Sequence, residues 1–92
     1  MYRIKPYSYR QAKKYGVEIY PSQVKGKKID VYNKRGYKIA SIGAIGYLDY
    51  PTILEKYGLQ FAKERQRLYK ARHKKNRIVK NSPGYWASKI LW

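Results

Sequence analysis

The 92 residues include 22 Lys and Arg against 5 Asp and Glu, a formal charge of +17 with the one His neutral. Without cysteine there is no disulfide, thiolate metal site or cysteine nucleophile, and packing alone must stabilise the fold. A composition 43% hydrophobic and 16% aromatic excludes a disordered basic tail and predicts one domain over residues 1–92, with a modest core.

Ser8 is placed to cap a short helix over Tyr9 to Tyr15, which Gly16 would close in a left-handed conformation, with Lys13 and Lys14 at the negative end. Val17 to Tyr20 alternates like a brief strand that Pro21 stops. From Lys28 to Ile42 the apolar period is two, and Asn33-Lys34-Arg35-Gly36 between the runs predicts a β-hairpin with Lys34 and Arg35 at its tip. Gly43-Ala44-Ile45-Gly46 reads as a tight, buried passage where two backbones approach closely. Thr52 and Glu55 have the spacing of a capping box, opening one long helix that continues past Gly58 to about Lys75, or ~36 Å. On its helical wheel Leu54, Tyr57, Phe61 and Leu68 form an apolar face, expected to pack, opposite a basic stripe of Lys63, Arg67, Lys70 and Lys74. Arg77 to Lys80 extends or follows that helix. Ser82 and Pro83 have the form of an N-cap and first residue of a final helical turn through Trp92. The expected architecture is therefore α+β: a short N-terminal helix, a small antiparallel sheet, a long amphipathic basic helix and a short C-terminal helical turn.

Lys63, Arg65, Arg67, Lys70, Arg72, Lys74, Lys75, Arg77 and Lys80 face a single acid, Glu64, within their segment. Duplex DNA carries a phosphate charge per ~1.7 Å of axis, so such a stripe, with Lys34 and Arg35, is expected to bind nucleic acid by counterion release, the residues themselves leaving DNA or RNA open. No helix-turn-helix or homeodomain signature is present, which predicts phosphate contact without sequence preference. Tyr85, Trp86 and Trp92 are candidates for a protein partner or for the core. Catalysis has little to work with: His73 is the lone imidazole, the acids are scattered, and Arg65, Tyr69, Arg72 and His73 offer a tyrosine nucleophile its residue types without converging on one point. The expectation is a protein that is no enzyme, with no cofactor, metal or small-molecule substrate. A membrane role is disfavoured because no apolar run approaches ~20 residues and the basic helix has few bulky residues at its cationic end. No secretory signal core follows Met1, so a protein that is not secreted is expected.

Three segments carry a resemblance: Lys28-Ile29-Asp30-Val31-Tyr32; Lys38 to Tyr47 with Asp49-Tyr50-Pro51-Thr52; and the tail Ser82-Pro83-Gly84-Tyr85-Trp86-Ala87-Ser88-Lys89-Ile90-Leu91-Trp92, joined by a stretch around Glu64 to His73. Over Lys28 to Trp92 the chain resembles a family of small basic proteins of unassigned function from large nucleocytoplasmic DNA viruses, of the chlorella-virus and giant-virus kind. The resemblance brings no catalytic residue. It implies a viral protein, located in the virion and in the infected host cell, cytoplasm or nucleus. Two roles fit that setting: DNA binding in genome packaging or condensation, or a minor capsid or cement protein whose partners are other virion proteins.

Overall fold

A computed structural model describes residues 2–92, with Asn76 described by its backbone only. The chain runs α1 (Pro6–Tyr15), β1 (Glu18–Pro21), β2 (Lys27–Tyr32), β3 (Lys38–Ala44), α2 (Tyr50–Tyr57), α3 (Leu59–Arg72), a 3-10 turn (Asn76–Ile78) and α4 (Pro83–Ile90). It is an α+β fold whose three strands form an antiparallel sheet in the order β1-β2-β3.

The sheet follows from its period of two. Ile19, Val31 and Ala40 lie opposite one another across the strands, as do Ile29 and Ile42, and all five are buried on one face. Helices α1 and α4 lie against this sheet and against each other. Asn33 builds the hairpin turn: its side-chain oxygen accepts from the amides of Arg35 at 2.9 Å and Tyr37 at 3.0 Å, while Gly36 takes φ +87°. On the other face Asp30 accepts from Ser22 and Ser41, at 2.6 and 2.7 Å. Burial by itself would raise its pKa; the bonds from Ser22, Ser41 and the Gln23 amide, with Lys38 nearby, hold it below the usual carboxylate range instead.

Two helix starts differ from the sequence expectation for one reason, the pull of partners distant in the chain. Helix α1 begins at Pro6 with Lys5 as N-cap, and Ser8 is a buried helical residue whose hydroxyl donates to the Ile90 carbonyl at 2.9 Å, tying α1 to α4. The N-cap of α2 is Asp49, whose carboxylate accepts from the Thr52 amide at 3.0 Å; Glu55 pairs with Lys5 rather than closing a capping box. The start of α4 is as expected, with Ser82 accepting from the Tyr85 amide. Gly16 also closes α1 as expected, at φ +72°.

The expected long helix is two. Gly58 stands at φ +91°, ψ 171°, backbone essentially reserved for glycine, and ends α2 while opening α3. Gly58→Ala is expected to cost about 1–3 kcal/mol, read as a lower thermal midpoint, because Ala cannot hold this dihedral pair without strain. The expected apolar face of the long helix is also displaced. Tyr57, Phe61 and Leu68 are exposed at 58, 49 and 42%, and only Leu54 of that set packs on the core. Helix α3 instead turns inward Ala62, Gln66 and Tyr69, spaced four and three residues apart. Small Ala62 allows close approach, Gln66 donates its side-chain amide to the Trp92 carbonyl, and Tyr69 stacks on the Trp92 ring at 4.3 Å and 6°. The glycine passage is corrected as well: Gly43 is tightly enclosed, a Cβ there lying 2.7 Å from Leu91, whereas Ala44 to Gly46 form an exposed turn.

One buried ion pair locks sheet to helix. Lys28, at 4% exposure, donates to Asp49, at 1%, over 2.9 Å. Asp49 also accepts from Tyr2 at 2.7 Å, and Lys28 donates to the Tyr47 carbonyl. Burial pushes Asp49 up, but the bonds from Thr52, Tyr2 and Lys28 together outweigh it and keep the carboxyl low. The Tyr2 hydroxyl is raised by burial and by that carboxylate.

Candidate nucleic-acid interface

Acids are consumed inside the fold or beside single cations. The ion pairs among the described residues are Lys5 with Glu55, Lys28 with Asp49, Lys38 with Asp30 and Arg67 with Glu64, and Glu18 accepts from the Tyr20 hydroxyl. The remaining Lys and Arg side chains therefore have no carboxylate partner among the described residues, and many of them collect in three places.

The first collection centres on Lys70, one of the expected stripe residues. Its ammonium is half-buried and its pKa is lowered, by desolvation first and then by the charges of Lys89, Arg77, Lys63 and Lys14. These cations come from α1, α3, the 3-10 turn and α4, so folding concentrates charge far beyond what α3 alone presents. The knot is held from several directions. Arg77 donates to the Lys70 carbonyl at 3.1 Å, Gln11 donates to the Lys89 carbonyl at 2.9 Å, and the Lys89 ammonium lies over the rings of Tyr15 and Tyr85, 5.3 and 5.4 Å from their centroids. Aromatic faces shield some repulsion without removing the charge.

The second collection lines a groove of about 680 Å³ between α3, α4 and the base of the hairpin. Arg65, Tyr69, Arg72 and His73, which the sequence reading has diverging, border this one groove together with Lys27, Tyr47 and Trp92. His73, Tyr69 and Trp92 form a ladder of stacked rings, each step 4.3 Å between centroids. The third is the hairpin tip. Lys34 and Arg35 are exposed there, Lys34 bordering a smaller groove with Lys13. The Lys38 end of β3 adjoins this tip and its Ser41 to Ala44 end lines the α3 groove, so Lys34 at the tip borders a different groove from Arg65 and Arg72.

The single stripe of the sequence reading is thus divided. Lys63 and Lys70 belong to the knot with Arg77; Arg65 and Arg72 belong to the groove; Arg67 is exposed but engaged by Glu64. Helix α3 ends at Arg72, so Lys74, Lys75 and Lys80 are exposed on the turns that follow and not on a helical face. Trp86 and Trp92, 5 and 9% exposed, are core residues: Trp86 donates to Asn81 at 3.2 Å and Trp92 anchors α3. They are not available to a partner, while Tyr85 is half-buried beneath Lys89. Sequence reasoning did not join Lys14, Lys27 and Lys89 to the cations of α3, nor Tyr47 to the groove. All four lie outside the basic segment 63–80, and tertiary structure alone brings them beside α3.

No group of three or more His, Cys, Asp or Glu able to hold a metal occurs among the described residues, and no helix among them is long and apolar enough to cross a membrane. The fold and its surface define a small α+β domain with unneutralised cations. The chain matches no family model, no curated protein and no solved structure.

Proposed function

We propose that this protein binds nucleic acid, DNA above all, through phosphate contacts and without strong sequence preference, and that it has no enzymatic role. The observation that supports it most is the convergence of Lys14, Lys63, Lys70, Arg77 and Lys89 around a half-buried ammonium with no acid among them. Such a knot is costly in isolation and is relieved when phosphates dock, releasing their counterions. The resemblance to small basic proteins of large DNA viruses supports placing this activity in a virion, in packaging or condensing the genome. Duplexes of equal length and unrelated sequence are expected to bind within about threefold of one another in a mobility-shift assay. A preference for one of them on the order of a thousandfold, as specific binders show, contradicts the reading.

A minor capsid or cement role is the second reading, and one feature favours it. Tyr57, Leu59, Phe61 and Leu68 leave apolar surface exposed around the α2–α3 junction, with the Tyr57 and Phe61 rings 5.2 Å apart. Under that reading the protein is recovered at fixed copy number with shell proteins rather than with the genome.

A further inference from the structure

The α3 groove differs from the cation knot in kind. Its interior is largely apolar, built from residues such as Ile42, Leu48 and Leu91, and its cations stand around it rather than filling it. The carboxylate it contains, Asp49, is already neutralised by Lys28 at 2.9 Å. At about 680 Å³ it is the size of a small-molecule site. Both faces of Tyr69 are occupied, by His73 and Trp92, so that ring is not a platform for a ligand. Tyr47 is different: it borders the groove and is 76% exposed.

We propose that this groove receives one unpaired nucleotide of a single strand, the base stacking on Tyr47 above the apolar floor and the flanking phosphates meeting Arg65 and Arg72. The inference rests on the nucleic-acid reading and adds a preference to it. A base in a duplex is stacked on its neighbours and must be unpaired to enter such a cavity, whereas a single strand offers its bases freely. Arg side chains suit the phosphates because the guanidinium presents a planar, bidentate set of donors. Lys27, on the same rim, extends the positive field to the next phosphate.

Fluorescence anisotropy with a short labelled oligo-dT and a mixed-sequence duplex of the same length tests this. The single strand is expected to bind about tenfold more tightly than the duplex at equal salt, the reverse of what charge density alone gives. Tyr47→Ala should abolish that preference and leave duplex affinity within about twofold. Its side chain is exposed, and the Tyr47 carbonyl that Lys28 uses is retained. Arg65→Ala with Arg72→Ala should reduce the single-strand salt slope by about 1.4, two phosphates' worth. If the duplex binds equally or better, or Tyr47→Ala weakens both polymers alike, the groove proposal is overturned and the phosphate-binding surface stands. If neither polymer binds, both are overturned.

Discussion

Asp49→Asn is expected to destabilise the protein by about 3–5 kcal/mol, a large share of the ~5–15 kcal/mol typical of a folded domain. The amide can still cap α2, so the loss comes from leaving the Lys28 ammonium buried at 4% exposure without its counter-charge. At ~4–8 °C per kcal/mol for a domain of this size, the thermal midpoint should fall by more than about 12 °C. Combining it with Lys28→Met should cost less than Asp49→Asn alone, because no uncompensated charge then remains inside. The same carboxyl predicts acid sensitivity. Its native pKa lies below the ordinary value of about 3.9, so the unfolded chain takes up the proton first. The stabilisation is complete above that ordinary value and is lost as pH falls through the lower native one. Asp30, lowered in the same direction, adds to the loss in the same window below about pH 4.

Lys63→Glu together with Lys70→Glu is expected to weaken DNA binding on the order of 50-fold or more at 0.1 M salt, since each phosphate contact carries roughly 0.9 of a logarithmic unit there. Stability should move the other way. Lys70 is held among Lys14, Lys63, Arg77 and Lys89, and a carboxylate in that place meets attraction where the ammonium meets repulsion. A double variant that melts no lower than the parent yet has lost its affinity separates binding from folding. A melting temperature that falls in parallel with affinity would mean the knot is structural.

What could be read from the chain was what short-range physics decides. The hairpin turn depends on Asn33 and Gly36, the end of α1 on Gly16 and the start of α4 on Ser82 with Pro83, and each is settled within a few residues. Apart from Gly58, whose positive φ divides the expected long helix locally, the failures at Ser8, at Thr52 with Glu55 and on α3 involve distant partners. Ser8 has the chemistry of a cap, but Ile90, far along the chain, claims its hydroxyl. Thr52 and Glu55 have capping-box spacing, but Asp49 is fixed by Lys28 and Tyr2 and caps first. For α3, weighting positions by hydrophobicity selects Phe61 and Leu68; the helix packs through Ala62, Gln66 and Tyr69 because the Trp92 ring and carbonyl complement those groups. The basic segment was legible as composition. Its division into a knot and a groove was not, since Lys14, Lys27 and Lys89 reach it only through folding.

If the cations left without acids bind phosphate, DNA affinity must depend steeply on salt. Measured between 50 and 200 mM salt, the logarithm of the association constant should fall linearly with the logarithm of salt concentration, with a slope of roughly −3.6 to −5.4 for four to six phosphates on duplex DNA. In the Lys63→Glu, Lys70→Glu variant that slope should become shallower by about 2. A flat salt dependence, or a slope unchanged in the variant, would contradict the account.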